Sequence, residues 1–209
     1  MSVVKGRWLL VVLAGCASSR AYTAGDSMVP TIAVGARVGV NDLDRAPARG
    51  RVVVFRAPER PDRQYVKRII GLPGDTIAVR GEEIVLNGVP VPRCRVGAFR
   101  SYDDADGRAR AGEIWLEAMA GARWLVFHAT PERSMPEGPW TVAPGEVFVL
   151  GDSRENSHDS RFWFGGRGGG LPVGFIVGAA VGADELALPR GAESLEQDLA
   201  RCVATLSGS

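Results

Sequence analysis

The most informative stretch of this chain is Tyr65-Val66-Lys67-Arg68-Ile69-Ile70-Gly71-Leu72-Pro73-Gly74-Asp75. Its first half is typical of a buried strand, and the Pro-Gly pair predicts a turn after it. The apolar neighbours make protonation of the Lys67 amine costly, because burial penalises a charged group. The stretch therefore predicts a β-strand that carries one lysine able to act as a base.

A serine forty positions earlier is a candidate partner for such a base. It lies in the segment Gly25-Asp26-Ser27-Met28-Val29-Pro30-Thr31. A serine hydroxyl is a poor nucleophile until a base takes its proton, and a lysine does this only when its amine is neutral. Histidine fills the role less easily, since the chain has only His128 and His158. The two segments together point to a serine nucleophile with a lysine base.

Four segments resemble the sequence boxes of the type I signal peptidases and occur in that family's order. They are residues 25–31, 49–55, 65–75 and 151–161. The first resembles the family's nucleophile box, the third its lysine box and the fourth its last box. A lone Ser-Met-x-Pro motif would be weak evidence, but the ordered set covers about residues 25–180. The resemblance implies a Ser/Lys serine endopeptidase.

The resemblance assigns roles to individual side chains. Ser27 would be the nucleophile, Lys67 the general base that takes and returns the proton, and Ser157 the hydroxyl that orients the lysine amine. Without the resemblance, a turn serine would be the better explanation of Ser27, and a surface lysine would remain an alternative for Lys67. Charged residues that match those holding the last box against the lysine strand are Arg68, Asp152, Asp159 and Arg161. We expect these four to support the site structurally.

The developing oxyanion needs donors aimed at it, and we expect the backbone N–H of Ser27 to be one of them. Many Gram-negative relatives place a serine or threonine hydroxyl two residues before the nucleophile, where this chain has Gly25. A backbone group or a water would have to replace that donor. Met28 and Val66 are the predicted substrate-pocket residues, and the substrate would lie extended along a strand edge.

The rest of the chain predicts a mainly β fold. Its 209 residues suffice for one catalytic domain, and 27 glycines and 13 prolines with little helical periodicity favour strands and turns. The resemblance implies a coiled antiparallel β-sheet core formed by residues 25–92 and 143–183, with a small β-rich insertion at 93–142. The tail, 184–209, predicts a short amphipathic helix that docks on the core. Its apolar stripe comprises Leu195, Leu199, Cys202 and Val203.

Residues 1–24 have the layout of an export signal followed by a tether. Lys5 and Arg7 precede an apolar run, and Leu13-Ala14-Gly15-Cys16 resembles the lipobox of bacterial lipoproteins, which makes Cys16 a candidate for lipidation. An uncleaved membrane anchor is the alternative, although about nine apolar residues reach only ~14 Å as a helix against ~30 Å of hydrocarbon. A cytosolic protein with an apolar start is a third reading. In the first two cases we expect the catalytic part at the cell membrane, on its periplasmic or extracytoplasmic face.

Cysteines, histidines and net charge limit the other functions. If Cys16 is lipidated, Cys94 and Cys202 remain as a pair that could form a disulfide in an oxidising compartment. Their distance along the chain favours two unrelated buried thiols instead. A zinc site would lack ligands, since His158 near the last box has no cysteine close to it. We expect no metal and no cofactor, and a net charge of +1 gives no reason to expect nucleic acid as a partner.

Together these features predict a membrane-associated serine endopeptidase. The resemblance implies that it removes signal peptides from secretory preproteins after small residues, in an Ala-x-Ala pattern. Its expected partners are those preproteins, membrane lipid and the secretion translocase. A peptidase dedicated to pilin or conjugative-transfer precursors is the nearest alternative. A self-cleaving Ser/Lys transcriptional regulator would need a DNA-binding module, and only 26 residues precede Ser27. An inactive lipoprotein that only binds is a further class, which the intact Ser27, Lys67 and Ser157 argue against.

Overall fold

The structure is a computed structural model that describes residues 20–42, 44–102, 107–130 and 135–207. Within these ranges the strands are β1 (Arg20–Thr23), β2 (Arg37–Asn41), β3 (Val52–Ala57), β4 (Arg60–Gly71), β5 (Thr76–Arg80), β6 (Glu83–Leu86), β7 (Val89–Pro90), β8 (Arg93–Tyr102), β9 (Ala109–Met119), β10 (Ala122–Ala129), β11 (Trp140–Thr141), β12 (Glu146–Leu150), β13 (Leu171–Pro172) and β14 (Ile176–Ala180). The helical segments are the 3-10 turns Asp26–Met28, Arg154–Asn156, Val173–Phe175 and Glu193–Leu195, the kinked turn Trp163–Gly166 and the C-terminal helix Glu196–Ser207. The predicted mainly β class and the short C-terminal helix are confirmed.

The strands form three antiparallel sheets. The largest has the order β1-β2-β14-β3-β4-β12-β13, and smaller sheets have the orders β11-β5-β6-β7 and β10-β9-β8. Strand β4 lies inside the largest sheet, between β3 and β12, and every residue from Val66 to Gly71 is buried. The prediction of a buried strand that carries Lys67 is therefore confirmed.

Strand β4 also contributes to three separate apolar cores. Val66 packs in one with Met28, Ile69 in a second with Trp163, and Ile70 in a third with Trp124. Successive side chains of a strand point to opposite faces, so a strand inside a sheet can serve cores on both sides. This packing fixes the backbone on either side of Lys67.

The region after β5 agrees with the local sequence signals. Asn87 and Gly88 have φ values of 53° and 83°, the left-handed conformation that a two-residue hairpin turn requires. Strands β8, β9 and β10 all lie within residues 93–142, the predicted β-rich insertion. The boundaries of the domains themselves stay predictions.

The tail corrects one expectation about the cysteines. Cys94 and Cys202 form a disulfide with their Cα atoms 5.5 Å apart, so the preference for two unrelated thiols was wrong. The C-terminal helix packs its apolar stripe on β8 and β9, which brings two cysteines 108 positions apart into contact. Docking of that stripe on the core is confirmed.

Candidate active site

The two predicted catalytic side chains meet in the structure. Nζ of Lys67 lies 2.6 Å from Oγ of Ser27 and donates a hydrogen bond to the carbonyl of Val66 at 2.9 Å. Lys67 is only 4% exposed. A hydroxyl and an amine at this distance can exchange a proton directly.

The environment of Lys67 lowers the pKa of its amine from 10.5 to about 8. Burial is the largest cause, because the charged form loses its hydration. The negative charges of Asp159, Asp152 and Asp26 act in the opposite direction, and Arg161 adds a smaller lowering effect. At a pKa of about 8, roughly a tenth of the lysine is neutral at pH 7.

Ser27 lies in the 3-10 turn Asp26–Met28, which follows β1 at the edge of the large sheet. The carbonyl of Ser27 accepts a hydrogen bond from the N–H of Ser153 at 3.1 Å. The nucleophile segment is thus tied to the segment 151–161.

Ser157 lies close to this pair but makes no hydrogen bond to Lys67. Its hydroxyl is buried and has no hydrogen-bond partner among the residues that the structure describes. A Cβ added to Gly151 would come within 2.2 Å of the Ser157 Oγ and 2.5 Å of the Ser27 carbonyl oxygen. Only glycine allows that approach, and the lysine-orienting role of Ser157 stays a prediction.

A buried ion pair and its hydrogen bonds join all four of the sequence segments. The Arg68 guanidinium binds Asp152 through Nε–Oδ1 at 2.9 Å and Nη2–Oδ2 at 2.7 Å. The hydroxyl of Thr31 donates to the same carboxylate at 2.5 Å, and Nη1 of Arg68 donates to the carbonyl of Gly50 at 2.6 Å. Because the three guanidinium nitrogens and both carboxylate oxygens all have partners, this pair can stay ionised while buried.

A second buried pair lies inside the segment 151–161. Arg161 binds Asp159 through Nε–Oδ1 at 2.9 Å and Nη2–Oδ2 at 2.8 Å, and the N–H of Gly151 donates to the same carboxylate at 3.0 Å. Burial acts to raise the pKa of Asp159, but the Arg161 charge and these hydrogen bonds outweigh it and lower that pKa. The nearby Ser157 hydroxyl contributes to the lowering, although the two groups do not meet hydrogen-bond geometry.

The structure describes the surroundings of the predicted pocket residues, Met28 and Val66, and of Gly25. Met28 and Val66 are 0% and 2% exposed, so neither offers open surface to a substrate here, and their pocket role stays a prediction. Gly25 has φ −82° and ψ −160°, and a Cβ added there would meet nothing within 4 Å. Position 25 therefore has room for a side chain.

Sequence reasoning missed why Asp75 ends the lysine stretch. Its carboxylate binds the Arg49 guanidinium, accepts the N–H of Leu72 at 2.7 Å and accepts the side-chain amide of Asn87 at 2.8 Å. Burial acts to raise the pKa of Asp75, but the Arg49 and Asn87 hydrogen bonds lower it to about 2. Through these contacts Asp75 stabilises the turn after β4.

A compositional signal for Lys67 was also missed. The chain has 23 arginines but only two lysines, Lys5 and Lys67. Arginine stays protonated in proteins, whereas lysine readily loses its proton when buried. Because nearly all cations of this chain are arginines, the single lysine in the predicted buried strand indicates a group that must lose its proton.

Three further expectations concern lipidation, a membrane-spanning helix and a metal site. Cys16 and the apolar run lie outside the described residues. Within the described part of the chain, no helix is long and apolar enough to cross a membrane. The same residues contain no cluster of three or more histidine, cysteine, aspartate or glutamate side chains arranged for a metal ion.

Comparison with known proteins identifies the family. The sequence model of the signal peptidase, peptidase S26 family matches residues 3–183. Signal peptidase I of Pseudomonas fluorescens is 32% identical over 154 residues, which are 66% of this chain and 52% of that protein. Signal peptidase I of Bacillus caldolyticus is 35% identical over 157 residues, 74% of this chain and 72% of that protein.

The extent of these matches differs. The chain spans about half the length of the Pseudomonas relatives that it matches. A crystal structure of a signal peptidase I from Enterococcus faecalis V583 aligns at 24% identity over 65% of this chain and 97% of that one, with a TM-score of 0.38. Because the family match extends over most of the 209 residues, this chain belongs to the signal peptidase, peptidase S26 family.

Proposed function

We propose that this chain is a serine endopeptidase that removes signal peptides from secretory preproteins and cuts after small residues in an Ala-x-Ala pattern. The observation that carries the proposal is the 2.6 Å contact between Ser27 Oγ and Lys67 Nζ, on a lysine whose pKa is lowered to about 8. A serine beside a partly neutral, buried amine has the requirements of an activated nucleophile. Membership of the signal peptidase family supplies the substrate class.

The geometry supports a two-step acyl transfer. Neutral Lys67 takes the proton of Ser27 as Oγ attacks the scissile carbonyl, and the lysine then returns the proton to the leaving amine. Water then attacks the acyl group as Lys67 takes its proton. Lys67 returns that proton to Ser27 Oγ as the acyl bond breaks. The backbone N–H of Ser27 is the expected oxyanion donor, and Gly25 contributes no side-chain donor beside it.

The open edge of β4 supports binding of an extended substrate. Strand β12 pairs with β4 only between Arg68 and Gly71. Among the described residues, Tyr65–Lys67 therefore have no strand partner on that edge, next to the nucleophile. A peptide that adds a strand there would bring a backbone carbonyl close to Ser27.

Membrane association and an extracytoplasmic position belong to the same proposal. The Cys94–Cys202 disulfide supports it, because such bonds persist in oxidising compartments and are rare in the cytosol. Lipidation at Cys16, or an anchor that includes the apolar run, would keep the site near substrates that emerge from the bilayer. Contact with the secretion translocase fits this position.

The test is cleavage of purified preproteins by the full chain, with product N-termini read by mass spectrometry. Wild-type protein should cut after the Ala-x-Ala motif, while Ser27→Ala and Lys67→Met should lose about 10³-fold or more of the rate, because each removes one half of the proton exchange. Lys5→Met, which removes the other lysine, is the matched control. Undiminished cleavage by either site variant would contradict the dyad, and selective cleavage of a pilin-type precursor in the same panel would indicate a dedicated peptidase.

A further inference from the structure

A histidine and a glutamate form a buried pair beside the segment 151–161. Nδ1 of His128, on β10, lies 3.0 Å from Oε1 of Glu155, and the two side chains are 3% and 5% exposed. The second oxygen, Oε2, accepts the N–H of Ala129 at 2.7 Å. Both carboxylate oxygens therefore bind consecutive residues of one strand, which fixes the orientation of the carboxylate.

The hydrogen bond between His128 and Glu155 involves one ring nitrogen and an ionised carboxylate. Burial acts to raise the pKa of Glu155, but the His128 contact and the Ala129 N–H lower it below its usual value. An ionised carboxylate is a strong acceptor for a ring N–H. The other ring nitrogen of His128, Nε2, is buried without a hydrogen-bond partner among the described residues, so Nδ1 alone holds the ring.

Backbone contacts continue from β10 to the nucleophile. The N–H of Phe127 donates to the carbonyl of Asp152 at 2.8 Å, and Phe127 forms an isolated parallel bridge with Ser153. The N–H of Ser153 donates in turn to the carbonyl of Ser27 at 3.1 Å. Two hydrogen bonds, joined through the adjacent residues Asp152 and Ser153, thus connect the predicted insertion to the backbone of Ser27.

The residue before Glu155, Arg154, contacts the neighbouring strand β9. The guanidinium of Arg154 binds Glu117, on β9, through Nη1–Oε1 at 2.7 Å and Nη2–Oε2 at 2.5 Å. The carbonyl of Arg154 accepts Nη2 of Arg161 at 2.7 Å. Arg154 and Glu155, neighbours in one 3-10 turn, therefore contact strands β9 and β10. The turn also contacts the Asp159–Arg161 pair.

From these contacts we infer that His128 and Glu155 are positioning residues of the active site: together they fix the segment 151–157 to β10 and so hold the backbone of Ser27 against Lys67. The inference rests on the proposed function and assigns the insertion a part in it. Neither side chain touches the reacting atoms. Their effect on catalysis passes through Asp152 and Ser153.

The expected effect follows from how sensitive catalysis is to geometry. Loss of the Nδ1–H donor leaves a buried carboxylate without its side-chain partner, and the turn that carries it must move to find water. Displacement of a catalytic group by ~1 Å can cost about 10²-fold in rate. We therefore expect His128→Leu to lower kcat by at least about tenfold and to leave KM within about twofold.

Two matched variants separate positioning from general damage. His128→Asn keeps a donor close to the position of Nδ1, so it should retain kcat within about threefold. His158, the other histidine, also has a glutamate at 3.0 Å, Glu59, but the two side chains are 53% and 34% exposed. His158→Leu should stay within about twofold of wild type, because an exposed pair of this kind contributes little.

A readout on the lysine keeps the test independent of turnover. Lys67 is one of two lysines, so ¹⁵N-lysine NMR can follow its amine through a pH titration in folded protein. In His128→Leu the pKa of Lys67 should rise from about 8 towards 10.5, since a displaced segment 151–157 lets water reach Nζ. This measurement stands even if no preprotein is cleaved, which distinguishes failure of the positioning role from failure of the proposed function.

The outcomes decide the inference clearly. Reduced kcat and a raised Lys67 pKa in His128→Leu, with both values restored in His128→Asn, support it. Unchanged kcat and unchanged Lys67 pKa in folded His128→Leu overturn it. If His128→Leu does not fold, Glu155→Gln keeps the side chain's size and the acceptor for Ala129 N–H, and the same two readouts apply to it.

Discussion

Replacement of Lys67 by methionine should abolish catalysis and yet stabilise the protein at neutral pH. The pKa of Lys67 falls from 10.5 in the unfolded chain to about 8 in the folded protein, mainly through burial. That fall corresponds to ~3 kcal/mol of free energy, which the folded state loses whenever the amine is protonated. Methionine has a similar length and no charge, so it removes this cost.

The pH dependence of the effect follows from the direction of the pKa change. Below pH 8 the lysine is protonated in both states, and the full cost of the buried charge is present. Between pH 8 and 10.5 the unfolded chain binds more protons than the folded protein, so wild-type stability rises with pH. The advantage of Lys67→Met should therefore shrink by ~1.5 kcal/mol between pH 6 and pH 9, and by ~2.5 kcal/mol by pH 10.

A pH-independent term offsets part of the gain. The carbonyl of Val66 accepts the Nζ hydrogen bond at 2.9 Å and loses it in the variant. Oγ of Ser27 loses its contact with Nζ as well. Each loss typically costs ~1 kcal/mol, which leaves a net stabilisation of ~1 kcal/mol at pH 6. The change in this difference with pH is thus a sharper test than its absolute size.

The assay is urea denaturation of wild type and Lys67→Met at pH 6, 7, 8, 9 and 10, with the disulfide intact. Arg56→Met, which removes an exposed cation from the adjacent strand β3, is the control and should show a constant difference from wild type. A Lys67→Met difference that does not change between pH 6 and pH 9 would refute a lysine pKa lowered by burial.

Three further outcomes follow from the same structure. The kcat/KM of preprotein cleavage should rise about tenfold per pH unit below pH 8 and level off above it, because only neutral Lys67 is a base; a flat profile from pH 6 to 9 would contradict this. Gly25→Ser should raise kcat by about tenfold or more, since the site has room for a hydroxyl that can donate to the oxyanion, and Gly25→Ala, without that hydroxyl, should not. Equal behaviour of those two variants would count against a missing side-chain donor. Joint replacement of Cys94 and Cys202 by alanine should lower the free energy of unfolding by ~3–5 kcal/mol while cleavage persists, because the disulfide closes a long loop across 108 positions. Denaturation of wild type with and without reductant provides the comparison, and identical midpoints would argue against that role.

The local features of the fold could be predicted because their causes are local. The apolar run around Lys67 indicated a buried strand, and Asn87-Gly88 indicated a hairpin turn with positive φ angles. The meeting of Ser27 with Lys67 is a long-range contact across 40 positions, and only the likeness of the segments to a known family predicted it. Periodicity and propensity do not carry such information.

Two contacts that sequence reasoning missed join elements distant in the chain. The Cys94–Cys202 disulfide depends on where the C-terminal helix docks, and His128 meets Glu155 only because β10 packs beside the segment 151–157. Histidine next to one glutamate has no sequence signature when the two are 27 positions apart. The exact place of the Ser157 hydroxyl depends on the close packing of Gly151, which sequence spacing does not determine.

The charges around Lys67 hold its pKa in a range that suits the proposed role as a base near neutral pH. Burial alone would lower the pKa of the amine further and weaken it as a base, whereas Asp159, Asp152 and Asp26 raise that pKa. Without counter-charges those carboxylates would keep the lysine protonated. Arg161 lies on Asp159, and the Asp152 carboxylate is neutralised by its own arginine, so the raising effect is limited. The buried ion pairs therefore act on the chemistry as well as on the fold, because they hold the pKa of Lys67 close to the pH at which a general base works best.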